Sequence, residues 1–316
     1  MKRSLIYTCL VLLSSSVFAQ NLEEAIKFYK NGDSKSAKGI LVEVNSKSED
    51  YEKAQYYLGR IAFDNDDYSQ AIDHFKTVIK KNDQNSDYYT WLGNAYGVYA
   101  QNSSRIRQGI IAPKIRKNYE KAIAIDPQNL DAQKGLIEYY TQAPAFMGGS
   151  LDKALNTAQT IKSFNEKEGY LALSTVYQRK EEYVKAEDAL LKLVALDNRY
   201  KTSLGTFYQN RAMYEKAFKH FEDMRLNEPE NTNAIYQFGR TSALSGQRTE
   251  EGIKALETYM TLPIQQGAPS FAAAKMRLGM IYEKIGDKEK AKAYYKSSLS
   301  DDPKMQLAKQ GLKRVK

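Results

Sequence analysis

The sequence predicts an all-α solenoid built from repeated helix pairs. Three observations predict it. A pattern of Leu-Gly, Tyr, Ala and a large aromatic residue recurs along most of the 316 residues. Tyrosine is abundant (24) and proline scarce (7), a balance that suits long helices whose rings fill the gaps between neighbours. No stretch of consequence alternates apolar and polar residues as a half-buried strand would.

The pattern is clearest near the C-terminus: Leu278-Gly279, Tyr282, Gly286-Asp287, Ala291, Tyr295 and Pro303. Gly279 and Ala291 are small, so two antiparallel helices can approach closely. Leu278, Tyr282 and Tyr295 fill the space around that approach. Gly286-Asp287 turns the chain between the helices, and Pro303 stops the second one.

From the N-terminus the elements follow in order. Lys2 and Arg3, the apolar run Leu5 to Leu13, the break Ser14-Ser15-Ser16 and the small residue closing Val17-Phe18-Ala19 form the three-part pattern of a secretory signal, predicted over residues 1–19. The run is far shorter than the ~20 residues that span a bilayer. No later segment reaches that length, so the chain after signal cleavage is expected to be soluble. Cys9, the only cysteine, falls inside the signal and follows Thr8 where a lipidation site wants a small residue. The mature chain is therefore expected to have no disulfide framework and no thiol chemistry.

Residues 20–302 are predicted to hold the repeats. A degenerate first copy uses Ala25, Gly32, Ala37 and Leu41, and Leu58-Gly59 opens the second with Ala62, Ala71 and Phe75. Trp91-Leu92-Gly93 gives Tyr96, with its second half late at Tyr119, Ala122 and Pro127. Leu136-Ile137 gives Tyr140, again with a late second half at Ala154, Ala158 and Ile161. Leu173-Ser174 leads to Tyr177, Ala186 and Leu190, and Leu204-Gly205 to Tyr208, Ala217, Phe221 and Pro229. Phe238-Gly239 leads to Ser242, Gly246, Gly252 and Leu256, the last two one residue late. Residues 303–316, with Leu307, Gly311 and Leu312 among lysines, predict an amphipathic capping helix that shields the last repeat.

These units, about eight of ~34 residues each, resemble the tetratricopeptide repeat, whose Trp-Leu-Gly-Tyr and Ala-Phe-Pro signature falls at these spacings. The resemblance covers nearly all of residues 21–303. It implies a right-handed superhelical solenoid of about eight helix pairs, with first helices lining a concave groove and second helices forming the convex face. The combination Trp91-Leu92-Gly93, Ala143-Pro144, Gly148-Gly149 and Lys153-Ala154 also resembles uncharacterised exported bacterial tetratricopeptide proteins.

Two adjacent units carry extra residues between their halves, near 101–113 and 141–151. Both insertions fall at the turn between first and second helices, so they are expected along one edge, where insertions often mark a binding face. The first is basic, with Arg105, Arg107, Lys114, Arg116 and Lys117. In the second, Gly148-Gly149 permits a tight turn, Ser150 is placed to cap the next helix, and Phe146 and Met147 are apolar. Two readings stand: Phe146 and Met147 tuck under a longer turn, or the two insertions form a composite site with basic and apolar lips.

Little in the sequence suggests catalysis. His74 and His220, the only histidines, each precede a core aromatic on a second helix, without the spacing of a zinc site. There is no nucleophile elbow and no phosphate-binding loop. Asp64, Asp66 and Asp67 read as turn residues rather than a calcium loop. The formal charge of +9 is spread over mixed-sign helix faces, without the dense basic and aromatic run of a nucleic-acid binder. No cofactor, metal or nucleic acid is expected, and no enzyme activity.

Binding remains. The groove register nominates Tyr56, Arg60, Asn94, Lys134, Glu138, Tyr236 and Arg240, and the insertion edge adds Phe146 and Met147. Some tetratricopeptide domains grip a C-terminal carboxylate with a Lys four residues before an Asn. Thr90 holds that place before Asn94, so the clamp is not carried over. The expected function is an exported scaffold or adaptor that binds proteins or peptides in the cell envelope, periplasmic in a bacterium and secreted otherwise. The alternatives are a small-ligand or glycan receptor, and an accessory subunit of an envelope enzyme complex.

Overall fold

The computed structural model describes residues 21–315, so the signal expected at 1–19 lies outside the described residues. The chain divides into two units, one ending at Ala189 and the other beginning at Leu190. The first holds α1 (21–30), α2 (Ser34–Leu41), α3 (Tyr51–Asp64), α4 (Tyr68–Lys81), α5 (Ser86–Gln101), α6 (Arg105–Ile125), α7 (Leu130–Gln142), α8 (Leu151–Phe164) and α9 (Glu166–Arg179). Helix α10 (Tyr183–Leu196) runs through the division. The second holds α11 (Lys201–Asn210), α12 (Tyr214–Asn227), α13 (Thr232–Ser245), α14 (Thr249–Thr261), α15 (Phe271–Lys284), α16 (Lys288–Asp301) and the closing α17 (Gln306–Arg314). No residue described is in a strand.

Each unit is a stack of helix pairs held at one recurrent contact. The glycine of a first helix lies against the aromatic ring of its own second helix. A Cβ on Gly59 would stand 2.7 Å from Phe75, one on Gly205 2.2 Å from Phe221, and one on Gly279 2.7 Å from Tyr295. Real Cβ atoms do not approach that closely, so only glycine lets these helices meet. The same ring also meets the next first helix. Tyr119 is pinched between Gly93 and Gly135, and Tyr295 between Gly279 and Gly311. Successive pairs are therefore locked by shared rings as well as by the apolar clusters that run from α1 to α3, α3 to α6, α6 to α10 and α13 to α17.

The turns repeat as well. Gly286 is left-handed at φ 86°, and Asp287 then caps α16 by accepting from the Lys290 N–H at 3.0 Å. The same geometry stands at Gly32-Asp33 and at Asp66-Asp67, where the aspartates cap α2 and α4. Asp64 accepts the Tyr29 hydroxyl at 2.6 Å. The acidic cluster is thus a turn and cap assembly, as its sequence suggested.

The first insertion takes a form the sequence did not indicate. Residues 101–113 are mostly helix, and only 102–104 break the chain between α5 and α6. The extra residues lengthen the helix pair instead of making a loop. Pro113 lies inside α6. A proline there removes one hydrogen bond and crowds the carbonyl four residues back, which belongs to Gly109. The second insertion is the expected compact turn: a single 3-10 turn Ala145–Met147, left-handed Gly148, and Ser150 accepting from the Lys153 N–H at 3.3 Å to cap α8.

Candidate functional site

The lengthened α5 and α6, the middle and C-terminal half of α7, and the 143–147 segment enclose a hollow of about 380 Å³. All of it lies within the first unit. Its floor is apolar: Val98 and Ala100 from α5, Ala112 and Ile115 from α6, and Phe63 from α3. Pro144 and Met147 close one side. Its polar groups are mainly amides: Asn94, Gln101, Gln108 and Gln142. Glu138 is the one charged residue in the lining.

Three of these four amides are oriented by a neighbour. The Tyr119 hydroxyl donates to Asn94 Oδ1 at 2.7 Å. Burial pushes the Tyr119 hydroxyl well above its ordinary pKa, the Glu138 charge adding to the effect, so it stays a donor. Gln142 Nε2 donates to Glu138 at 3.0 Å, and Gln108 Nε2 to the Ser103 carbonyl at 3.1 Å. Tyr139 donates to the Met147 carbonyl and ties the 3-10 turn to α7. Gly97 opens the middle of the hollow: a Cβ there would have nothing within 4 Å.

Three of the residues nominated from sequence, Asn94, Glu138 and Met147, meet at this hollow. Met147 is half-buried, whereas Phe146 beside it is 84% exposed. One apolar side chain of the insertion thus tucks in and the other stands out. The glutamines of the rim escaped the sequence reading, because amides carry no periodic signal. Their common placement at helix ends beside the insertions was the available clue.

The remaining nominated residues lie elsewhere. Arg60 is committed to its neighbours, with its guanidinium carbon 3.7 Å from the Trp91 ring centroid and Nη1 donating to the Tyr56 hydroxyl at 3.1 Å. Tyr56 is half-buried, and burial raises its hydroxyl. Lys134 pairs with Glu168 at 2.6 Å. Arg240 donates to Gln209 Oε1 and, at 3.4 Å, to Gln237 Oε1; burial and then the charge of Arg277 lower its pKa. Tyr236 corrects the groove register. It is only 5% exposed, with its ring 5.4 Å from that of Tyr259 on α14, so it is core rather than groove surface. Thr90, in the clamp lysine's place, is buried and receives Asn129 Nδ2 at 3.1 Å.

The histidines are structural. His220 Nε2 donates to the Lys201 carbonyl at 2.8 Å, and His74 Nδ1 lies 2.6 Å from Gln55 Oε1. Burial holds both rings below the usual pKa. Among the described residues, no three His, Cys, Asp or Glu side chains gather as a metal site, and no helix is long and apolar enough to cross a membrane.

Profiles described as tetratricopeptide repeat match residues 22–86, 56–96 and 272–304. The chain carries tetratricopeptide repeats over these residues. The matched segments hold the Gly59–Phe75 and Gly279–Tyr295 contacts, so profile and packing identify the same unit. Among solved structures, a tetratricopeptide repeat protein from Parabacteroides merdae is similar at 18% identity, with a TM-score of 0.54 over 84% of this chain and 98% of its own. The C-terminal part of a TPR repeat-containing protein from Cytophaga hutchinsonii is similar at 16% identity and a TM-score of 0.49, over 92% and 99%. A thermophilic TPR protein from Thermus thermophilus is similar at 16% identity and 0.47, over 60% and 98%. At these identities the likeness is one of fold. No curated protein matches the tetratricopeptide chain by sequence.

Proposed function

We propose that this tetratricopeptide protein is an exported scaffold or adaptor that holds protein segments in the cell envelope and catalyses no reaction. Repeat solenoids of this kind serve protein and peptide binding in general. The hollow beside the insertions is the docking point, and its lining is the observation that carries the proposal. An apolar floor takes an apolar side chain, and a rim of Asn94, Gln101, Gln108 and Gln142 pairs with the amides of an extended peptide. Buried peptide amides need such partners, because an unpaired one costs about 1–3 kcal/mol.

A glycan is the competing occupant of the same hollow. Sugars bind on open aromatic faces, and here the Tyr119 ring is already pinched between Gly93 and Gly135 while Tyr139 is buried. The peptide reading is therefore preferred. Export rests on the signal pattern at 1–19. It is tested by sequencing the N-terminus of the protein made in its own cell, with Gln20 as the expected first residue.

The binding test uses Gly97→Trp, which fills the hollow from a position where an added Cβ meets nothing within 4 Å. The wild type is expected to retain a subset of peptides from an immobilised library, all with an apolar residue flanked by free backbone. The Trp variant is expected to lose that subset while keeping its helical circular dichroism. Identical retention by both proteins rules the hollow out, and selective retention of glycans in place of peptides transfers it to the competing ligand.

A further inference from the structure

The outer face of α6 is unlike the other second helices. At 100° per residue, Ile106, Ile110, Pro113 and Lys117 line up along one face. The opposite side, with Ile111, Ala112 and Ile115, is turned into the fold. Ile106 is 82% exposed and Ile110 63%. The 3-10 turn Ala145–Met147 lies alongside: a Cβ on Gly109 would stand 3.6 Å from the Met147 methyl. Phe146, from that same turn, projects into solvent next to this face. Large apolar side chains that gather on a surface mark an interaction site, whereas scattered ones do not.

Over the first three turns of this helix the charge has one sign. From Arg105 to Lys117 the sequence contains five basic residues (Arg105, Arg107, Lys114, Arg116 and Lys117) and no acidic one. Arg105, Arg107, Lys114 and Lys117 are exposed. None of these four has a carboxylate partner among the described residues. Several other second helices neutralise a cation within one turn, as in Lys76–Asp73, Lys185–Glu182, Arg225–Glu222 and Lys290–Asp287. The exception on this helix is Arg116, which is half-buried and has Glu120 at 3.8 Å.

We infer that this ridge docks on an anionic phospholipid surface. The chemistry fits on two counts. Isoleucine and phenylalanine side chains enter the boundary between headgroups and acyl chains, while flanking Lys and Arg stay at the level of the phosphates. Unpaired cations near an anionic leaflet each strengthen attachment. The exposure of Ile106, Ile110 and Phe146 fits as well, since a bilayer buries such side chains together with the cations, whereas an acidic polypeptide would pair the cations and leave them in water. The inference stands independently of what fills the hollow.

The test is cosedimentation of the chain beginning at Gln20, which lacks the apolar run 5–13 but keeps every described element. Vesicles of phosphatidylcholine alone are compared with vesicles that also contain phosphatidylglycerol. The protein is expected to sediment with the anionic vesicles only, and to be released by high salt. Two variants built from exposed positions keep the test independent of folding. Ile106→Ser/Ile110→Ser/Phe146→Ser leaves every charge, Arg105→Glu/Arg107→Glu leaves every apolar group, and each is expected to cut partitioning at least about tenfold. A Phe146→Trp protein should be quenched by brominated acyl chains. Equal sedimentation of wild type and both variants overturns the inference. So does tighter binding to soluble polyglutamate than to anionic vesicles with the triple serine variant unaffected, an outcome that assigns the ridge to an acidic protein.

Discussion

The Tyr119 hydroxyl of α6 donates to Asn94 Oδ1 of α5 at 2.7 Å, and this bond fixes which end of the Asn94 amide faces the hollow. With its oxygen engaged, Asn94 offers its N–H donors to a ligand. Tyr119→Phe removes the bond and leaves the ring. The expected loss is about 1 kcal/mol of unfolding free energy in a urea titration. Peptide binding at the hollow should weaken in parallel, because the amide is then free to turn. Unchanged stability and unchanged affinity would together remove Tyr119 from the site.

Two glycines of the same region should respond in opposite ways. A Cβ on Gly135 would stand 2.4 Å from the Tyr119 ring, so Gly135→Ala forces the ring or the helix to shift, at a cost of about 1–3 kcal/mol. Gly97 has open space, and Gly97→Ala replaces a poor helix former by a good one, so stability is expected to hold or rise by up to about 1 kcal/mol. Thermal unfolding of the pair measures both. Equal shifts would contradict the pinched-ring packing.

Arg60 over Trp91 gives a spectroscopic prediction, because Trp91 is the only tryptophan. Arg60→Ala uncovers one face of the indole, and its emission should move to the red. The lost cation–π contact is expected to cost about 1–2 kcal/mol, measured against a Trp91→Leu background in a double-mutant cycle. A coupling near zero would mean that the stacked arrangement contributes nothing.

Alkaline pH should loosen the first unit. Burial, and then the hydrogen bond to Asp64, push Tyr29 up to about 12. Burial, and then the charge of Glu120, push Tyr140 up to about 12 as well. An acid whose folded pKa is raised keeps its proton longer when folded. The stability it lends is whole below the ordinary tyrosine value of about 10 and is lost as pH climbs toward 12. Absorbance near the tyrosinate band, compared with that of Tyr29→Phe, should show one late-titrating ring. In Asp64→Asn that ring should titrate earlier; an unmoved transition would exclude the carboxylate as a cause.

The repeat was legible because its contact is chemically simple. A glycine and an aromatic sixteen residues apart mark Gly59 with Phe75, Gly205 with Phe221, and Gly279 with Tyr295. The late second halves of the third and fourth units were legible too, but not their form. Pro113 reads as punctuation in a sequence, yet α6 continues through it, and the chain break falls earlier, at 102–104. The candidate site was half legible. Register gives a side chain its direction but not its depth: Asn94 and Glu138, nominated for the groove, line the hollow, while Tyr236, in the same register as Tyr56, went to the core. Gln101, Gln108 and Gln142 converge only once the two helices are lengthened together, a tertiary fact that no single window contains.

The pinched rings also limit how such a chain can change over generations. Tyr119 and Tyr295 each belong to one repeat by sequence and to two by packing. A duplication or deletion that starts and stops at equivalent positions hands each ring a glycine on both sides, and the seam closes again. One that cuts between a ring and its second glycine leaves a methyl or larger group facing an aromatic with no room. Length can therefore vary in whole repeats, while within a repeat new residues are admitted where this chain has them, at the helix ends around 101–113 and 141–151.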